Sequence, residues 1–209
     1  MVAVIDYGVG NLFSLISSLN NLKCEACVTS DISLIKKADR IILPGVGAFE
    51  DAANKLFKSG IAESLISIAN DGIPVLGICL GMQLLFEKSY EYGIHDGLSL
   101  IPGDVRPISE VIPDNLKIPH MGWNSLKFVN DKHPLFKYIN EGDFVYFVHS
   151  YSARNCNKNT IASTEYGVDL TASVAKDNVM GCQFHPEKSG KIGLKILQSF
   201  CEMKRGNIC

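Results

Sequence analysis

The chain has 209 residues, 46% hydrophobic and 20% charged, with 18 Gly and 8 Pro, a composition that supports a real core and excludes disordered, collagen-like and fibrous classes. A formal net charge of −2 gives no basic field for a phosphate backbone, and no local patch replaces it, so no nucleic-acid partner is expected. No uncharged run reaches the roughly 18 apolar residues of a membrane span, and the start, Met1 to Asp6, lacks the basic segment of a secretory signal, so the expectation is a cytoplasmic protein with no membrane partner.

Val2 to Asp6 is a short apolar run followed by Tyr7-Gly8-Val9-Gly10 and then by Leu12, Leu15, Ile16, Leu19 and Leu22 at helical spacing, which predicts strand, turn and helix. The unit recurs as Cys24 to Val28 with a helix from Asp31, Ile41 to Leu43 with a helix after Gly47, and Val75 to Cys79 with a helix through Phe86. Such alternation implies right-handed crossovers and a parallel sheet covered on both faces, with sites at the carboxyl ends of its strands. From about Val105 the pattern changes to strand-like runs at Phe144 to Tyr151, Ile161 to Tyr166, Leu170 to Ala175 and Val179 to His185, read as partly antiparallel. Ile192, Leu194, Ile196, Leu197, Phe200 and Met203 predict a closing helix on the sheet. No linker or repeat interrupts the chain, so residues 1–209 are read as one domain.

The sharpest local signal is Val75-Leu76-Gly77-Ile78-Cys79-Leu80-Gly81-Met82-Gln83, an apolar strand that ends in a cysteine and runs directly into a helix. It has the form of a nucleophile elbow, in which Gly77 and Gly81 let strand and helix approach closely. A helix N-terminus favours negative charge, which makes Cys79 a better nucleophile than an ordinary cysteine. A buried core cysteine beside packing glycines is the competing reading. Among five histidines, His185 closes a strand-like run and has Glu187 two residues on, so Cys79, His185 and Glu187 can serve as nucleophile, base and orienting acid. His149 has no nearby acid and is the second candidate. Pro44-Gly45-Val46-Gly47-Ala48 follows another strand and offers backbone N–H groups to an oxyanion, though a simple turn reads as well.

Other patterns are weaker. Gly8-Val9-Gly10 with Asp31 imitates a dinucleotide fingerprint but places Phe13 where a third glycine belongs, and its ring is expected to obstruct helix–strand packing. Cys24 and Cys27 form a lone C-x-x-C with no second ligand pair, so core thiols are expected and no metal. Seven cysteines without paired spacing do not suggest a disulfide framework.

Taken together, G-I-C-L-G-M-Q and F-H-P-E-K-S resemble the triad glutamine amidotransferases. D-Y-G-V-G-N-L, P-G-V-G-A-F and P-H-M-G-W-N (Pro119 to Asn124) are similar to the glutaminase subunits of imidazole glycerol phosphate synthases within that family. The resemblance runs nearly end to end and implies a flavodoxin-like, mostly parallel α/β sheet with an antiparallel extension. It implies Cys79 as nucleophile, His185 as base and acid, and Glu187 as the residue that orients it. It also implies Gly45, Val46, Gly47 and Leu80 at the oxyanion, with a peptide of that strand turning before it can serve. Gln83, Glu91, His149, Ser150 and Tyr151 would hold glutamine. Asn11, Met121, Gly122, Trp123 and Lys188 would meet a (β/α)8 cyclase partner, with Asn11 and Lys188 near the ammonia entrance. Glutamine is the implied substrate, and the reaction needs no metal or organic cofactor. An ammonia supplier for a sugar amidotransferase, a silent module that stabilises a synthase, and a stand-alone cysteine hydrolase remain the alternatives on sequence.

Overall fold

A computed structural model describes residues 1–206. In the first half, Val2–Ile5 (β1), Leu12–Asn21 (α1), Ala26–Thr29 (β2), Ile32–Ile35 (α2), Arg40–Gly45 (β3), Phe49–Lys58 (α3), Ile61–Asn70 (α4), Val75–Cys79 (β4) and Leu80–Leu84 (α5) follow one another. The second half holds Lys88–Ser89 (β5), His95–Asp96 (β6), Asp104–Pro107 (β7), His120–Ser125 (β8), Lys127–Phe128 (β9), Phe144–His149 (β10), Tyr151–Arg154 (β11), Thr160–Glu165 (β12), Asp169–Lys176 (β13), Val179–Cys182 (β14) and Gly190–Glu202 (α6).

The main sheet has the order β2-β1-β3-β4-β14-β13-β12-β9. Its first five strands are parallel and the remaining pairings antiparallel, the flavodoxin-like arrangement with an antiparallel extension. Side chains alternate across it because successive strand residues face opposite ways. Ala3, Ile5, Ile41, Leu43 and Val75 join one core with residues of α3 and α4, while Val2, Val4, Ile42, Leu76 and Ile78 join another with residues of α1 and α6. Helices therefore cover both faces, and the carboxyl ends of β3, β4 and β14 meet at one edge. Among the described residues, no helix is long and apolar enough to cross a membrane.

Several sequence expectations shift. The run Phe144 to Tyr151 is two strands, because Ser150 breaks it: β10 pairs with β8 in a two-stranded sheet, and β11 pairs with β7 in a four-stranded one. The last parallel strand stops at Cys182, which leaves Gln183 to His185 in the connection that reaches the site. Phe13 does not obstruct packing, since its ring is 84% exposed and α1 packs through Leu15 and Leu19. Asp31 caps α2, its carboxylate accepting from Ser33 N–H at 2.7 Å. Cys24 and Cys27 are half-buried at the edge of the cores, not inside them.

Candidate active site

Cys79 ends β4, and α5 begins at the next residue. Its backbone has φ 54° and ψ −111°, a strained conformation for a residue with a Cβ and one typical of functional turns, costing about 1–3 kcal/mol. Three glycines make the crossing possible. A Cβ on Gly77 would stand 2.6 Å from the Gly81 carbonyl oxygen, one on Gly81 would stand 1.8 Å from the Leu43 carbonyl oxygen, and one on Gly45 would stand 2.8 Å from Gly81 N. Backbone thus packs on backbone where β3, β4 and α5 meet, and Gly45 pairs directly with Cys79 across the sheet.

The parallel pairing of β14 with β4 carries the chain after Cys182 to the same edge, and there His185 and Cys79 line one cavity. His185 donates from Nδ1 to Glu187 Oε1 at 2.8 Å, with side-chain exposures of 2% and 4%. Burial pulls the imidazolium down, but hydrogen bonding and negative charge at Cys79 and Glu187 outweigh it and raise the pKa to about 9. Nε2 is buried with no hydrogen bond of proper geometry among the described residues, which leaves it available to a reacting group. Cys79, His185 and Glu187, which the sequence offered as nucleophile, base and orienting acid, are therefore brought together.

The cavity, about 570 Å³, is also lined by Val46, Gly47, Leu80, Gln83, Glu91, Ser150, Tyr151 and Lys188. Glu91 Oε2 accepts from Phe49 N–H at 2.6 Å and so caps α3, the helix that follows the glycine-rich strand. Both ring nitrogens of His149 are occupied: Nδ1 meets the Tyr151 carbonyl at 2.8 Å, and Nε2 meets His120 Nδ1 at 2.9 Å. Burial holds the His149 pKa down at about 3. It is a wall residue without a polar atom to spare, not a second base. Asn11 and Lys188 are exposed, and Asn11 caps α1, accepting from Ser14 N–H at 3.4 Å.

Two contributors escaped the sequence reading. Gln183 is fully buried, accepts from Gln83 Nε2 at 3.0 Å and donates to Cys79 Sγ at 3.8 Å. Tyr7 donates to the Pro44 carbonyl at 2.8 Å beside the glycine-rich strand. A polar residue between apolar Cys182 and Phe184, just past the end of the last strand, is the signal for the first.

Outside the cavity, β8 presents Met121 and Trp123, which are 65% and 55% exposed, on either side of Gly122. Trp123 lies edge-on to Tyr146 and reaches Gly190, which shares a shallow depression with exposed Phe13. Phe13, Met121 and Trp123 are thus large apolar groups left exposed on this side of the molecule.

The model for glutamine amidotransferase class-I matches residues 3–203. The chain belongs to the class-I glutamine amidotransferases. Within that family it is 51% identical over 204 residues to the imidazole glycerol phosphate synthase subunit HisH of Caldanaerobacter subterraneus subsp. tengcongensis, covering 97% of this chain and 98% of that one. It is 50% identical to the HisH subunit of Lactococcus lactis subsp. lactis (96% and 98% covered) and 51% identical to that of Methanosarcina acetivorans (97% and 98%). The amidotransferase fold recurs in a crystal structure of a glutamine amidotransferase at TM-score 0.75 and 17% identity, covering 97% of this chain and 98% of that one. PurLQS from Thermotoga maritima gives 0.71 and 19%, with 95% and 96% covered.

Proposed function

We propose that the chain is the glutaminase subunit of an imidazole glycerol phosphate synthase in histidine biosynthesis, hydrolysing glutamine to glutamate and ammonia for a (β/α)8 cyclase partner. The observation that carries this reading is the Cys79–His185–Glu187 constellation, with Cys79 and His185 in the wall of a cavity flanked by a glycine-rich strand. The near full-length identity to HisH subunits supports the choice of synthase.

Cys79 Sγ attacks the side-chain carbonyl carbon of glutamine and forms a tetrahedral oxyanion. Leu80 N–H, at the start of α5, is one donor for that charge, and a peptide N–H of Val46 or Gly47 is the second. His185 carries a proton at neutral pH, held there by Glu187 and Cys79, and passes it to the departing nitrogen. Ammonia leaves and a thioester remains. Neutral His185 then takes a proton from water, the hydroxide adds to the thioester, and glutamate is released as Cys79 is restored. Gln83 and Glu91 line the cavity where the rest of the substrate would lie.

A narrow second space behind Val46 is lined by Asn11, Leu15, Pro44, Gly45, Ile78, His185 and Glu187. It lies between His185 and Glu187 on one side and Asn11 on the other, a direction suited to ammonia delivery. The face formed by Met121, Gly122, Trp123, Asn11 and Lys188 is the proposed seat of the partner. The test is transfer of label from amide-¹⁵N glutamine into the imidazole product in the complex with the cyclase, against a pool of unlabelled ammonium. Labelled product supports the reading. Glutamine hydrolysis coupled only to a sugar amidotransferase would replace it.

A further inference from the structure

His120 and His149 form a buried imidazole pair, and its hydrogen bonds can be assigned without ambiguity. The Tyr151 carbonyl can only accept, so His149 Nδ1 carries hydrogen. His149 Nε2 then accepts from His120 Nδ1 at 2.9 Å, and His120 Nε2 accepts from Asn124 Nδ2 at 3.2 Å. Asn124 spends its other amide hydrogen on the Glu165 carbonyl at 2.7 Å, while its Oδ1 accepts from Ser125 N–H at 2.8 Å. Every donor has an acceptor only if both rings are neutral, since a proton on either would set two N–H groups against each other. Burial agrees, holding the two pKa values down at about 4 for His120 and about 3 for His149.

The chain of bonds continues into the cavity wall. The Tyr151 carbonyl also accepts from Gln83 Nε2 at 3.3 Å, and that same nitrogen donates to Gln183 Oε1, whose own amide reaches Cys79 Sγ. Gln83 is thereby held with its nitrogen toward the protein, and its Oε1 has no hydrogen-bond partner among the described residues. His120 is clamped between the rings of Phe147 and Tyr166, at 4.8 Å and 4.2 Å, so it cannot swing to another acceptor.

We infer that His120 is a positioning residue for the glutamine pocket, acting through His149 and the Tyr151 carbonyl to set the orientation of the Gln83 amide. The inference rests on the glutaminase reading and adds to it a part played by the strand that also carries Met121 and Trp123. His120 touches no substrate, so its loss should act on binding more than on chemistry.

His120→Phe keeps the stacking and removes the donor, leaving His149 Nε2 unsatisfied. In the complex with the cyclase, KM for glutamine should rise about 10-fold, as loss of one buried hydrogen bond permits, with kcat within about twofold and ammonium-dependent synthesis unchanged. His120→Asn, whose Nδ2 can stand in for ring Nδ1, should recover most of the loss. Independently of any activity, ¹⁵N imidazole spectra of the wild-type chain at neutral pH should show both rings neutral and protonated at Nδ1. An unchanged KM in folded His120→Phe, or a His149 ring protonated at Nε2, would overturn the inference. Absence of glutamine hydrolysis in the wild-type complex would instead strike the glutaminase reading, and the spectra would still decide the assignment of the pair. Should His120→Phe not fold, the Asn variant and the spectra carry the test.

Discussion

The buried Tyr7 hydroxyl holds the Pro44 carbonyl at 2.8 Å, and five residues further on the Glu91 carboxylate holds Phe49 N–H at 2.6 Å. Between these anchors Val46, Gly47 and Ala48 are exposed, Gly47 has φ 102°, and no atom of the described residues lies within 4 Å of the position a Cβ would take there. The strand that should donate to the oxyanion is thus pinned at both ends and free in the middle, where a peptide beside glycine turns at low cost.

Control of the glutaminase follows from this arrangement. One missing oxyanion donor costs about 10²-fold to 10³-fold in rate, so supplying it on partner and ligand binding is enough to switch the enzyme. The isolated subunit should hydrolyse glutamine slowly and gain at least about 10²-fold in the ligand-bound complex, chiefly in kcat. Steady-state glutamate release measures both states. Full activity of the isolated subunit, or activation expressed only as a lower KM, would contradict this account.

Cys79→Ser should abolish glutamine-dependent synthesis and leave the partner able to use added ammonium, because only the nitrogen source is lost. Parallel assays with the two nitrogen donors distinguish the cases. Equal loss with both would place Cys79 in the structure of the complex and not in its chemistry.

Glu187→Gln isolates the part played by the carboxylate. Its hydrogen bond and charge both raise the His185 pKa against the pull of burial, so the variant should titrate below the wild-type value of about 9. A glutamine side chain can still accept from Nδ1 but cannot stabilise the imidazolium, and kcat should fall by about 10² or more. An NMR titration of His185 beside the glutaminase assay checks both. An unmoved pKa with a normal rate would remove Glu187 from the triad.

Much of this site was legible because its decisive constraints are local. Gly77, Cys79 and Gly81 lie within one strand–helix turn, and His185 and Glu187 within one short connection, so residue type and spacing express the geometry directly. Tyr7 with Pro44, Gln183 with Cys79 and His120 with His149 are 37, 104 and 29 residues apart. Their meeting depends on strand order and register, which a single sequence does not display. The same limit applies to the fold. Alternating strands and helices announce the parallel sheet, whereas the break at Ser150 occurs inside an apolar run with no glycine or proline to mark the change of sheet.

The buried histidines and half-buried His133 also shape stability against pH, in opposite directions. His120, His133 and His149 have folded pKa values of about 4, 4 and 3, below the value of about 6.5 expected when unfolded, because burial disfavours their charged forms. Below pH 6.5 the unfolded chain therefore binds more protons at these sites than the folded one, and stability is lost as pH falls from about 6.5 toward 4. His185 is the reverse case, with a folded pKa of about 9. Its contribution is complete below about pH 6.5 and is lost as pH rises through about 9. The melting temperature should therefore peak near pH 6.5 and fall on both sides, the acid limb beginning above the range in which ordinary carboxylates titrate. Calorimetric scans between about pH 4.5 and 9.5 test this. His120→Phe should flatten the acid limb, and Glu187→Gln should flatten the alkaline one, whatever each does to the absolute melting temperature. A profile level from pH 5 to 9, or variants whose limbs keep the wild-type slopes, would show that these four imidazoles do not govern the pH dependence.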